Sequence, residues 1–301
     1  MNQKKTSMVL LYGLILIIGM SWGLSFMATA LLMRAGLQPV QIQAARWLIA
    51  AIFFGILVAV GKVRPNLRDR NLKYMLLCGI LEPCIYMLLE TYGLKFTSAS
   101  TASVVIATIP CMTLIVRSVF LHERTSRTGI LSILLAVTGV IICTVCSPTF
   151  ELSGQAVGFL LLFCAVLTGS FYSIFSAKAA ASYTPYDVTA TMCFLGVVWF
   201  TIMNFAAGYG VSTYVTVFRD FRLIFGILFL GLACSALCFI AYNSLISRVD
   251  PAIANNLSGA APTIVGVLAG ILILGDAWGL YTVIGLILTV AGVILSSHEV
   301  K

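Results

Sequence analysis

The sequence predicts an all-α membrane protein of ten transmembrane helices, arranged as two inverted five-helix repeats. Three observations carry that expectation. Of 301 residues, 60% are hydrophobic and only 9% charged, with a mean hydropathy of +1.07, whereas a typical soluble domain is about 25% charged. Apolar runs long enough to cross a bilayer recur along the whole chain. Motifs of the first half return in the second, about 150 residues later.

A membrane-spanning helix needs roughly 20 apolar residues. Runs of that kind cover about 8–33, 38–60, 72–94, 98–120 and 128–146, then 155–178, 185–207, 222–245, 251–273 and 279–297. The first follows Lys4 and Lys5, and the sequence Ala28-Thr29-Ala30 imitates a signal-peptide cleavage site. The run is too long for a signal peptide and others follow it, so it reads as an uncleaved first span.

Basic residues set the expected orientation. With the N-terminus inside, thirteen Lys and Arg fall in inner segments (Lys4, Lys5, Lys62, Arg64, Arg68, Arg70, Lys73, Arg117, Arg124, Arg127, Lys178, Arg248 and Lys301). Arg34, Lys95, Arg219 and Arg222 fall outside, and Arg46 lies within a span. That bias predicts a multi-pass protein of the plasma (inner) membrane with both termini cytoplasmic. The net charge of +8 is spread between apolar runs rather than gathered on one polar face, which points to the lipid bilayer as partner and away from nucleic acid. The basic loop from Lys62 to Lys73 suits anionic lipid.

The halves divide near residue 147, giving repeats 1–147 and 148–301. Residues 99–116, ASTASVVIATIPCMTLIV, parallel 251–268, PAIANNLSGAAPTIVGVL. ILLAVTGVII (133–142) parallels LILTVAGVIL (286–295), and Gly79 corresponds to Gly231. Five spans per half force the second half to enter from the opposite face. Such inverted repeats let two related half-structures exchange roles around a central site.

Several segments also carry a family resemblance: GMSWGLSF (19–26), ARWLIAA (45–51), YGLKFTSASTASVVIATIPCMTLI (92–115), LHERTSRTGILSILLAVTGVII (121–142) and APTIVGVLAGILILGD with AGVIL in the second half. Together they resemble the EamA-type proteins of the drug/metabolite transporter superfamily over essentially the whole chain. The resemblance implies a ten-helix alternating-access carrier for small metabolites, often an exporter.

Candidate site residues follow from what is costly in lipid. Pro110 and Pro262 fall near mid-span, and each removes an N–H and frees a carbonyl one turn back. Interrupted helices at corresponding positions of two repeats point to a central site, although proline kinks are also common in membrane helices. Asn255 and Asn256, with Ser258 nearby, seek either a neighbouring helix or a ligand; Asn243 and Asn204 are weaker candidates. Trp22 lies too deep for an interfacial belt and suits a cavity wall, where the family resemblance also places it. Gly19 and Gly23, like Gly266 and Gly270, have the spacing that lets helices approach closely.

The third span holds Glu82, Tyr86 and Glu90 on one stripe. A carboxylate at the centre of a span costs about 2.5–3.5 kcal/mol on insertion scales, so it should face the bundle interior or water. Arg46, in the antiparallel second span, stands at the right depth to pair with either glutamate, or it snorkels outward. A helix-tying ion pair is one reading of these charges. The other is that one glutamate binds substrate or a proton, since loss of water favours the neutral form of a carboxyl group. The second half offers no matching acid: Cys234 corresponds to Glu82 and Tyr242 to Glu90. The resembled family generally carries apolar or aromatic residues there, so both glutamates depart from its pattern. Glu123 and Asp276, at related turns, are expected to cap the following helices or meet nearby basic side chains.

These features predict a secondary transporter that moves a small metabolite, an amino acid or related amine, across the plasma membrane, in the export direction. The runner-up is a broad-specificity exporter of drugs or lipophilic cations; a channel or non-transporting membrane protein ranks lower. No cofactor is expected. Nine cysteines lie in or beside apolar runs, where cysteine acts as a small hydrophobe. The Cys143-x-x-Cys146 pair lacks a redox-fold context. His122 and His298 stand far apart, and no phosphate-binding glycine loop occurs, so neither an enzyme nor a nucleotide-driven pump is predicted.

Overall fold

In the computed structural model, residues 8–63, 72–148, 152–249 and 251–296 are described. Among them only helices and their connections occur. The long helices are α1 (Met8–Arg34), α2 (Pro39–Ala59), α3 (Leu72–Phe96), α4 (Ala99–Phe120), α5 (Arg127–Val145), α6 (Leu152–Ala179) and α7 (Pro185–Ala206). A short helix α8 (Ser212–Arg219) precedes α9 (Phe221–Ile246). The chain ends with α10 (Pro251–Ala269), extended by a wide turn at Gly270–Leu274, and α11 (Leu280–Ser296).

Eight of these are long and apolar enough to cross a membrane: α1 to α7 and α9. The apolar segment Ser258–Leu274 and α11 are shorter. Large apolar side chains point outward all round, among them Leu16, Ile56, Leu134, Ile202, Phe225, Leu272 and Ile287. Buried positions instead include Thr113, Ser132, Ser170, Thr189, Ser235 and Thr289. That is the pattern expected when lipid is the solvent and small or polar residues hold helices together. Many buried hydroxyls donate one turn back, as Thr113 to Ile109 O, Thr189 to Pro185 O and Thr289 to Gly285 O, which removes a polar group from the apolar interior.

Short-range chemistry sets the boundaries. Ser98 accepts from Thr101 N, Ser126 from Thr128 N and Asp220 from Arg222 N at the starts of α4, α5 and α9. Thr184 and Asp187 form a reciprocal cap on α7, in which two N–H groups otherwise left without partners are satisfied. Gly275, at φ +75°, ends α10; its N–H and that of Asp276 both reach Gly270 O. Glycine is suited to that left-handed position because it has no Cβ.

Three local features escape the sequence pattern. Inside α3 the segment Ile80–Tyr86 widens, and Met87 N–H reaches back five residues to Glu82 O. Pro83 explains it: the missing N–H and ring bulk disrupt the regular ladder, and Gly79 O instead accepts from Cys84 Sγ. A second wide segment, Phe229–Leu237, occupies the corresponding part of α9, with Cys238 N–H bonded to Ala233 O. Helix α8 is the third; Thr213 Oγ1 donates to Asn204 Oδ1 and accepts from Gln41 Nε2, binding α8 to α7 and α2.

The two prolines behave differently. Helix α4 breaks at Ala107 and Thr108, between Ala99–Ile106 and Ile109–Phe120, with Pro110 opening the second half. Pro262 lies inside the continuous stretch Pro251–Ala269, so the expected matching interruption is absent there.

Helix packing follows the glycines. A Cβ on Gly19 would stand 2.8 Å from Ala261 Cβ, and one on Gly23 2.6 Å from Val265 Cβ, where α1 meets α10. Gly285 and Gly139 bring α5 and α11 together. Further pairs are α2 with α7 and α9, α3 with α6 and α7, α4 with α6 and α10, and α1 with α9.

Candidate functional site

A cavity lies where α1, α2, α3, α4, α6, α9 and α10 converge. Seven predicted site residues line it: Trp22, Arg46, Glu82, Tyr86, Glu90, Pro110 and Pro262. The side chains of Asn255 and Asn256 lie outside the described residues, whereas Ser258 lines the cavity.

The charged groups are deeply buried: Arg46 is 3% exposed, Glu82 5% and Glu90 9%. The wide turn at Pro83 does not carry Glu82 out of line, and Glu82, Tyr86 and Glu90 all present to one space. Arg46 neither snorkels outward nor forms the direct ion pair expected as one possibility. Its Nε–H donates to Ser235 Oγ at 2.6 Å, and its guanidinium carbon stands 5.9 Å from the centre of the Trp47 ring. Among the described residues the salt bridge within 4.0 Å is Arg117–Glu123. Glu82 and Glu90 make no hydrogen bond or ion pair with another described residue, although the guanidinium is within electrostatic reach of both.

Aromatic rings form the walls. Trp22 Nε1 donates to Cys234 O at 3.1 Å across to α9, and Cys234 Sγ returns a contact to Ser21 O. The Trp22 ring centre lies 5.3 Å from those of Phe239 and Tyr242, and Tyr242 stacks on Tyr172 at 5.9 Å. The Tyr242 hydroxyl bonds with Ser173 Oγ at 3.0 Å. Tyr172 and Ser173, from α6, were not singled out by the sequence, and Tyr242 was noted there only as the counterpart of Glu90. The repeat spacing could have found Tyr172, because Gly169-Ser170-Phe171-Tyr172 stands 150 residues after Gly19-Met20-Ser21-Trp22. Ser103, 2% exposed, also lines the cavity, and its Oγ has no hydrogen-bond partner.

Other polar candidates are structural. Asn243 is fully engaged: Tyr172 Oη and Ser176 Oγ donate to its Oδ1, and its Nδ2 donates to Thr189 Oγ1. Asn204 donates to Gly210 O and accepts from Thr213. Glu123 pairs with Arg117 Nε at 2.7 Å, as expected of a residue beside basic side chains. Asp276 does not cap the helix that follows it. Its Oδ2 accepts from Ser100 N at 2.9 Å and Ser100 Oγ at 2.8 Å, so it caps the start of α4 from another part of the chain. The nine cysteines are all free, with Cys143 buried and Cys146 exposed.

Buried carboxyl and guanidinium groups facing a shared aromatic space can bind a small molecule bearing complementary charge. Several known transporters resemble this chain over most of its length. The uncharacterized transporter YcxC of Bacillus subtilis is 26% identical over 282 residues, covering 93% of this chain and 90% of that protein. An uncharacterized transporter of Archaeoglobus fulgidus is 25% identical over 272 residues, covering 90% and 93%. A probable terminal-alkyne amino-acid exporter of Streptantibioticus cattleyicolor is 26% identical over 241 residues, covering 80% of this chain and 77% of that one. A solved crystal structure shares the fold, with a TM-score of 0.68 at 18% identity, covering 93% and 95% of the two chains. The EamA-like transporter family matches residues 9–145 and again 156–298. With that double match over a bundle of apolar helices, the chain belongs to the EamA-like transporter family.

Proposed function

We propose that the protein is a secondary transporter that carries an amino acid or related amine out across the plasma membrane by alternating access. The observation that supports this most directly is the set of buried, unpartnered Glu82 and Glu90 beside Arg46 in one aromatic-walled cavity. An ammonium group suits the carboxyl groups, and a carboxylate suits the guanidinium. The similar amino-acid exporter of S. cattleyicolor favours the same class of cargo. Intramembrane ionisable residues commonly mark such pathways. Exchange of a proton for an ammonium at either glutamate keeps the cavity's charge constant, which makes protons the natural counter-ion.

Alternating access fits a pair of inverted repeats, 1–147 and 148–301, in ten spans with both termini cytoplasmic. Three features support that architecture. The family matches twice. The wide segments Ile80–Tyr86 and Phe229–Leu237 fall at corresponding positions. The packing pairs also map onto one another when the halves are exchanged: α1 on α10 corresponds to α4 on α6, α2 on α9 to α3 on α7, and α5 on α11 to itself.

A second reading, a broad exporter of lipophilic cations, is favoured by the rings of Trp22, Tyr86, Tyr172 and Tyr242, which attract cations. Proteoliposome uptake distinguishes the two. Saturable transport of amino acids supports the first, and transport of many unrelated lipophilic cations with no amino acid among the substrates supports the second.

A further inference from the structure

We propose that the cavity takes a basic amino acid, with its carboxylate on Arg46 and one ammonium group on each of Glu82 and Glu90. This rests on the transporter reading above and narrows its cargo to a diamino acid. The first argument is charge. Two acids and one arginine line the cavity, and among the described residues no other Asp, Glu, Lys or Arg does. All three are buried and none is paired with another, and among the described residues the arginine is held through Nε by Ser235. A buried charge left without a partner is costly. A neutral amino acid supplies one ammonium and one carboxylate, so one glutamate must keep its proton or stay uncompensated. A simple diamine satisfies both glutamates and leaves the guanidinium uncompensated. A diamino monocarboxylic acid matches all three.

The second argument is length. Glu82 and Glu90 are eight residues apart, at most roughly 12 Å along the axis at a regular helical rise of about 1.5 Å per residue, and the wide turn at Ile80–Tyr86 shortens that. A charged N–H···O contact of about 2.8 Å at each end leaves roughly 6 Å or less between the two nitrogens. Five extended bonds of about 1.25 Å projected length span about 6 Å, as in ornithine, and the six of lysine fit with one bond turned gauche. Tyr86 stands between the glutamates and offers its ring to the methylene chain. Ser103 Oγ, buried without a partner, supplies a further acceptor.

The test is counterflow of labelled lysine into proteoliposomes holding the full-length protein, driven in turn by internal lysine, ornithine, leucine or cadaverine. Lysine and ornithine are expected to drive exchange about tenfold or more better than leucine and cadaverine, about 1.4 kcal/mol for each tenfold. Arg46→Gln is expected to erase the preference for lysine over cadaverine, and Glu82→Gln or Glu90→Gln that for lysine over leucine. As a check independent of reconstitution, millimolar lysine should raise the unfolding temperature of the detergent-solubilised protein more than leucine does. If leucine matches lysine in both assays, the diamino-acid assignment is overturned while amino-acid transport stands. If cadaverine matches lysine, the role of Arg46 is overturned. Absence of exchange and of any thermal shift with every compound overturns the assignment and the transporter reading together.

Discussion

Arg46 on α2 donates its Nε–H to Ser235 Oγ on α9 at 2.6 Å. This bond joins helices of the two halves and fixes the plane of the guanidinium, whose other nitrogens make no hydrogen bond with a described residue. Ser235 lies in the wide segment Phe229–Leu237 and is fully buried. A hydrogen bond to a charged group contributes about 1.5–3 kcal/mol. Ser235→Ala should therefore lower the unfolding temperature and raise KM for amino-acid cargo. Unchanged KM and unfolding temperature would show that Ser235 does not orient Arg46.

Glu82→Gln and Glu90→Gln remove the charge and keep the shape. Each should reduce transport by about tenfold or more, the order expected when a buried charge loses its partner, while membrane insertion stays normal. Initial rates across a pH series, normalised to inserted protein, provide the check. Wild-type rates for both variants at every pH would assign the glutamates a purely structural place.

The helices were legible because lipid simplifies the sequence code. Span-length apolar runs mark most helices to within a few residues, since any backbone in lipid must satisfy its own hydrogen bonds. Glu82, Glu90 and Arg46 were legible as cavity-lining residues for the same reason, as charges too costly to turn toward lipid. The wide segment at Phe229–Leu237 was not, because it contains no proline, and its partner at Pro83 could equally have been a kink. Nor was α8, an eight-residue helix held by side-chain bonds to Asn204 and Gln41 rather than by any pattern of its own. Tyr172 stands at the repeat spacing from Trp22, a signal that was overlooked, and the convergence of α6 on α9 gives Tyr172 and Ser173 a cavity to line.

Gly23 sets the approach of α1 to α10. A Cβ there would stand 2.6 Å from Val265 Cβ and 2.8 Å from Pro262 O. Gly23→Ala should destabilise the protein by about 1–3 kcal/mol, as overpacking does, and displace the neighbouring Trp22 from the cavity wall. Gly13, on the same helix, has open space around the corresponding position, so Gly13→Ala should be neutral or stabilising by about 0.5–1 kcal/mol. Thermal unfolding of the two variants side by side measures the contrast.

Asn243 holds α6, α7 and α9 together through Tyr172, Ser176 and Thr189. Asn243→Leu leaves those buried hydroxyls without this partner, at an expected cost of about 1–3 kcal/mol. The variant should unfold at lower temperature yet keep its ranking of substrates, because Asn243 does not line the cavity. A changed substrate ranking with unchanged stability would place Asn243 in the transport machinery instead.

The central claim is that buried Glu82, Glu90 and Arg46 serve cargo. Its most direct measurement is uptake of a metabolite panel into proteoliposomes of the wild-type protein, with and without an imposed pH gradient. The account predicts saturable transport of amino acids or amines, accelerated when protons move the opposite way. Non-saturable ion conductance, or no response to any amine or amino acid by correctly inserted protein, would contradict it.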